Sequence, residues 1–184
     1  MDRLSQQLIN AARYNDLLKV QELLSSGVDI NSVDNVGMSA LMVASYFGNL
    51  IIARYLLKDG ANPNIRDKWG NTALLYSSSR YGTIYIVEEL LKYGKVNPLL
   101  KNNKGESAYD NAISNNQIEI AELLKYYMNI YNLQNRRRRN LTHRRMRTEE
   151  ANRNLAMSRI FEYHDVDDPL TRILRRETLR SIYG

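Results

Sequence analysis

One motif recurs through the first two thirds of this 184-residue chain. The segments DNVGMSALMVASYFGNLIIARYLLKDGANPN (34–64), DKWGNTALLYSSSRYGTIYIVEELLKYGKVNP (67–98) and NNKGESAYDNAISNNQIEIAELLKYY (102–127) align in phase. LINAARYNDLLKVQELLSSGVDIN (8–31) joins them from its first helical pattern onward. Gly37 and Gly70 are 33 residues apart, and Gly70 and Gly105 are 35, with added residues in SSSRYG and near Lys95. Every unit reaches a Leu-Leu pair: Leu23-Leu24, Leu56-Leu57, Leu90-Leu91 and Leu123-Leu124. Gly27, Gly60 and Gly94 follow the first three pairs. This period constrains the fold strongly, because one such unit cannot bury its apolar face alone and must stack on its neighbours.

Within a unit the local signals are helical. Ser39, Thr72 and Ser107 each stand just before an apolar helical pattern, where a hydroxyl accepts bonds from the first free amides. Gly60 and Gly94 come just after a helix and suit a left-handed cap. Leu41, Ala44, Ile52, Leu56 and Leu57 recur at helical spacing and are expected in the core. Each unit is therefore read as two short antiparallel helices and an extended hairpin arm.

Asp34, Gly37, Ser39, Leu41, Ala44, Gly48, the Leu pair and GANPN together resemble the ankyrin repeat family, over about residues 4–130. The Asn-, Ile- and Tyr-rich composition is similar to that of short ankyrin-repeat proteins of large DNA viruses. The resemblance implies an all-α fold: an ankyrin-repeat solenoid over residues 1–130, with repeats 4–33, 34–66, 67–101 and 102–130, plus a basic helical C-terminal appendage over 131–184. Where the family usually has Thr-Pro-Leu-His, the chain has SALM, TALL and SAYD. The hydrogen bonds of that His are therefore not expected, and modest stability is. The fourth unit has Tyr109 in place of the usual Leu and lacks the closing Gly, so KYYMNIYNL (125–133) is expected to extend its last helix.

In ankyrin-like stacks, hairpin tips and the exposed ends of the first helices line a concave face. The resemblance thus implies a protein partner, contacted by Tyr14, Val36, Met38, Tyr46, Phe47, Lys68, Trp69, Arg80, Tyr81 and Lys104. Aromatics beside Arg are the residue types that dominate binding energy at interfaces. Tyr14, Tyr46, Phe47, Trp69 and Tyr81 are expected to form an aromatic ladder across three units. The competing readings are that Tyr14 or Phe47 packs inward, or that the chain's own C-terminal segment covers the face.

Charge divides the chain. Residues 1–130 are balanced, while 131–184 hold 13 Arg, no Lys and 7 acidic residues, so the net charge of +6 lies in that last part. Its densest stretch, QNRRRRNLTHRRMRTEE (134–150), contains Arg136, Arg137, Arg138, Arg139, Arg144, Arg145 and Arg147. Low hydrophobicity and absent periodicity over 134–147 predict disorder there in isolation. Thr148 is read as the N-cap of a helix over 148–163, and Asp168-Pro169 as the start of a basic amphipathic helix over 165–183. Three readings of 136–147 stay open: a sequence-indifferent nucleic-acid contact, a nuclear-import address bound by an import receptor, or a solvated linker.

Catalysis is not expected. The only His residues are His143 and His164, there is no Cys, and no Gly-rich phosphate loop is present. A metal site or a triad would be hard to build from these, and the Asp and Glu are scattered at surface phases of the repeats. No metal, cofactor or small-molecule substrate is expected. The longest apolar run, LIIA at 50–53, is too short to span a membrane, and the N-terminus has no signal-peptide pattern. These features lead to the expectation of an intracellular protein of the cytoplasm, nucleus or virion.

Overall fold

The computed structural model describes residues 3–79, 83–93 and 95–162. Its helices are α1 (Arg3–Arg13), α2 (Leu17–Ser25), α3 (Ala40–Phe47), α4 (Leu50–Lys58), α5 (Ala73–Ser77), α6 (Ile84–Lys92), α7 (Ala108–Ser114) and α8 (Ile118–Glu162). Isolated antiparallel bridges Val33–Ser39 and Lys101–Ser107 close two hairpin arms. Among the described residues the regular structure is thus all-α. The chain divides into two compact units, Met1–Asn132 and Leu133–Gly184.

The caps follow the chemistry of the sequence. Ser39 accepts from the Met42 amide, Thr72 from Leu75 and Ser107 from Asp110, each with the extended backbone of an N-cap. Asp16 caps α2 in the same way through the Lys19 amide. Gly60 lies just past α4 at φ +95°. Gly94, expected to play the same part, lies outside the described residues, as does the helix expected over 165–183.

In the first unit the first helices stack on one another, α1 on α3, α3 on α5 and α5 on α7, while α2, α4 and α6 stack behind them. A helix flanked on three sides is buried nearly all round: Ala40 through Ser45 of α3 are all inaccessible. Small residues occupy equivalent places on these helices, Ala11, Ala44, Ser77 and Ala112, all buried. They allow close approach of the helix backbones. The buried Ser45, Ser77 and Ser78 hydroxyls each donate to a carbonyl of their own helix, at 2.7 to 3.0 Å, so these three are satisfied. The second helices are one-sided, with Val20, Leu23, Ile52, Leu56, Ile86 and Leu90 facing inward.

The position of the family's His is filled by Met42 and Leu75, both buried, and by Asp110. The missing His bonds are replaced by Asn. Asn49 Nδ2 donates to Ala12 O at 2.7 Å and Asn111 Nδ2 to Leu75 O at 2.9 Å. In the loops behind the helices, Asn31 accepts from the Asn62 amide and Asn64 from the Asn97 amide, both at 2.8 Å.

The last helix corrects the reading of the basic stretch. Residues 134–147 are helical, and no new helix begins at Thr148. The Thr148 hydroxyl instead donates to Arg144 O at 2.9 Å, inside the same helix. The physical reason is the absence of any breaker: from Glu106 to Asp168 the chain contains neither Gly nor Pro. Tyr127 stands three residues past its Leu pair, where Gly27 and Gly60 stop the earlier units. An L-residue there disfavours the left-handed cap, so α8 continues.

Candidate binding surface

The hairpin tips are built by one repeated device. Asp34 Oδ1 accepts from the amides of Val36 and Met38, Asp67 Oδ1 from those of Trp69 and Asn71, and Asn102 Oδ1 from those of Lys104 and Glu106. A short side-chain acceptor folding over its own backbone is what Asp and Asn supply in turns. Neighbouring tips are then tied together. The Lys68 amide donates to Val36 O at 2.9 Å, and the Asn103 amide to Trp69 O at 2.8 Å. Asn103 Nδ2 adds a bond to Lys68 O at 2.9 Å. The backbone of Lys68-Trp69 is thus held from both sides, while the Trp69 indole is 55% exposed. A rigid backbone carrying an exposed Trp loses little freedom on binding.

Gly70 makes that tip possible. Its φ is +78°, and a Cβ added there would lie 2.5 Å from Asn103 Oδ1 and 2.9 Å from the Asn103 amide nitrogen. No side chain fits between the two tips.

Along the first helices, aromatic rings form a connected row. The Tyr46 ring meets Phe47 edge to face, with centroids 5.1 Å apart, and Tyr76 in the same way at 5.7 Å. The Arg13 guanidinium lies over the Phe47 ring, 5.5 Å from its centroid. The Tyr76 hydroxyl donates to Asp67 Oδ2. Burial first, and this hydrogen bond second, push the Tyr76 hydroxyl up to about 12. Asn71 Nδ2 donates to the Tyr76 oxygen at 3.5 Å, and Asn102 Nδ2 to Asn71 Oδ1 at 3.2 Å. The row therefore runs from Arg13 in the first repeat, through Phe47, Tyr46 and Tyr76, to Asn102 in the fourth.

Of the residues expected to bind a partner, Tyr46 and Phe47 fall in this row. Trp69, Lys68 and Lys104 stand exposed on the tips, and Tyr14 is 77% exposed at the end of α1. Phe47 is 46% exposed, so it is not packed away inside. Val36 and Met38 are only partly exposed, with Met38 resting on the core. Arg80 and Tyr81 lie outside the described residues. Tyr76 was missed from the sequence because it reads as an ordinary helix position. The signal available was its place 30 residues after Tyr46, one helical turn short of the 33-residue repeat, on the next first helix. A second exposed apolar row was also missed: Leu18, Ile51 and Tyr85, each the second residue of its helix. Its recurrence at the repeat spacing, where an amphipathic helix carries polar residues, was the visible sign.

On α8, Arg136, Arg137, Arg138, Arg139, Arg144, Arg145 and Arg147 are all exposed. Arg145 Nε pairs with Glu149 Oε1 at 3.1 Å. No group of three or more His, Cys, Asp or Glu among the described residues is placed to hold a metal ion, and no helix among them is long and apolar enough to cross a membrane.

Comparison with known proteins agrees with this architecture. The family model described as ankyrin repeats, three copies, matches residues 8–97 and 59–135. The chain is similar to the E3 ubiquitin-protein ligase hecd-1 of Caenorhabditis elegans, 35% identical over 112 residues, covering 60% of this chain and 4% of that protein. It is similar to the mitochondrial disaggregase of Homo sapiens, 35% identical over 82 residues, 45% of this chain and 11% of that one. An ankyrin repeat protein of Acanthamoeba polyphaga mimivirus is 34% identical over 105 residues, 55% of this chain and 24% of the viral protein. The chain thus spans less than a quarter of the length of these relatives, and the likeness lies in the repeats. With four in-phase units, the capped helix pairs and the tied hairpin tips, the chain belongs to the ankyrin repeat family.

Proposed function

We propose that the chain is a non-catalytic interaction module that binds a protein partner on the face formed by its hairpin tips and first helices. One observation carries this reading: the exposed aromatic surface of Phe47 and Trp69, continuous in chain order with the Tyr46–Tyr76 row. Folding does not require a Trp on a hairpin tip or a Phe at a helix end. Large exposed apolar groups on a fixed scaffold mark contact surfaces, and aromatic and Arg side chains carry most interface energy. Arg13, Lys68 and Lys104 rim this surface and give it a preference for a partner with acidic residues around an apolar centre.

The test is affinity capture from the native source with intact protein and with the double variant Phe47→Ala, Trp69→Ala. Both side chains are substantially exposed, so the variant should fold normally by circular dichroism. The partner should be lost, with affinity down by about 100-fold or more if each residue is a hot spot of roughly 2 kcal/mol. Unchanged capture by a folded double variant would remove this face from consideration.

A further inference from the structure

The arginines of α8 are not spread evenly around the helix. At 3.6 residues per turn, Arg136, Arg147, Arg144, Arg137, Arg145 and Arg138 fall, in that angular order, within about 200° of the circumference. Asn140, Leu141 and Thr148 are the other residues of that arc between Arg136 and Glu150. It contains no acid. Glu149 stands at its edge, where it meets Arg145, and Glu150 lies on the remaining side with Arg139, Met146 and Thr142. Adjacent like charges along one helix repel one another, and the acid that offsets them, Glu149 beside Arg145, stands at the edge of the arc. Such a surface is complete only against a polyanion.

We propose that this half of α8 is a binding site for duplex DNA of any sequence, seated in the major groove with arginines reaching phosphates on both walls. The geometry matches on three counts. From Arg136 to Arg147 the site is about 16 Å long at 1.5 Å per residue. The major groove is about 12 Å wide and admits one helix. Arg136 and Arg147 lie at one edge of the arc and Arg138 and Arg145 at the other, so each wall of the groove faces guanidinium groups, which pair with phosphate oxygens in two-point fashion. Arg137 and Arg144 point along the middle. The four edge arginines meet phosphates rather than base edges, so recognition rests chiefly on the backbone. The same pattern disfavours a lipid surface: within the basic stretch Leu141 lies among the arginines and Met146 on the other side of the helix, so no apolar stripe is there to insert.

The site is independent of the partner-binding face, and its test uses the full chain. Binding to a fluorescent duplex of arbitrary sequence is followed by anisotropy at rising salt. Four phosphate contacts predict a loss of roughly 100-fold between about 50 and 200 mM salt. Two charge-matched variants decide between a seated face and a general field. Arg138→Gln with Arg147→Gln, and Arg139→Glu alone, each lower the net charge by about two. Gln keeps helix propensity close to that of Arg. The first variant should weaken binding by roughly 10-fold or more and reduce the salt slope by about 2, and the second should change little. Equal losses in both variants would overturn the proposal, as would equally effective competition by polyglutamate or by phosphatidylserine vesicles. Absence of duplex binding at low salt would overturn it outright.

Discussion

At the scale of single residues, Tyr76 and Gly70 show how repeat positions acquire individual roles. Asp34, Asp67 and Asn102 do the same work in their turns, and Asp67 also accepts the Tyr76 hydroxyl. Tyr76→Phe removes that donor and should cost about 1 kcal/mol in urea unfolding. The hydroxyl, raised to about 12 by burial and by Asp67, also gives stability a pH dependence. Its folded value lies above the unfolded value of about 10, so the contribution is complete below about pH 10 and is lost as pH rises toward 12. The intact protein should therefore lose more stability over that window than Tyr76→Phe does. Equal losses would show that the titration lies elsewhere. Gly70 and Gly60 both have positive φ, but only at Gly70 would a Cβ strike a neighbouring tip. Gly60→Ala should cost about 1 kcal/mol from backbone strain alone, and Gly70→Ala clearly more, read as a larger fall in Tm.

At the scale of elements, α7 and α8 show what starts a helix and what lets it run. The start of α7 is a capping box: Asp110 Oδ2 accepts from the Ser107 amide at 2.8 Å and from its hydroxyl at 2.7 Å, and the Ser107 oxygen accepts from the Asp110 amide. The Ser107 amide above all, and its hydroxyl next, hold the Asp110 carboxyl below the usual range. Because the folded value is the lower one, its stabilisation is present above the ordinary carboxylate value and is lost as pH falls through the folded one. Asp110→Ala should cost about 1 kcal/mol at neutral pH and make unfolding less sensitive to acid, measured by urea midpoints in neutral and acidic buffer. A variant as acid-sensitive as the intact protein would assign that dependence to other carboxylates. α8 has the opposite lesson. Its basic part has low hydrophobicity and no apolar period, yet good helix formers, Leu, Gln, Arg, Met and Glu, make up most of it and it contains no Gly or Pro.

At the scale of the whole molecule, the repeat unit Met1–Asn132 is a stack in which each helix pair buries its face on the next. Stability in such a stack is the sum of weak units and the interfaces between them, so damage in a middle repeat weakens two interfaces at once. Leu56 of α4 is fully buried, and Leu56→Ala should cost about 2–5 kcal/mol in urea or thermal unfolding. Leu23 is the same position in the terminal repeat and nearly as buried, but it has one neighbouring repeat instead of two. Leu23→Ala should therefore cost less. An equal or larger loss at Leu23 would mean that the stack does not distribute its stability in this way.

The sequence by itself determined the period, the helix pairs and their caps, because these depend on residues close together in the chain: a hydroxyl before an apolar pattern, a Leu pair, a Gly three residues later. It also marked Trp69 and Phe47, whose chemistry is odd for a hairpin tip and a helix end. What only the tertiary structure decided are the relations between repeats. The Tyr46–Tyr76 ring contact and the Asn103 ties to Lys68 and Trp69 join residues 30 to 35 positions apart. Such pairs follow from how far one helix pair advances on the next, a distance set by the small residues Ala11, Ala44, Ser77 and Ala112 packing at the stack's centre. Local sequence fixes each unit, and packing between units fixes which side chains meet.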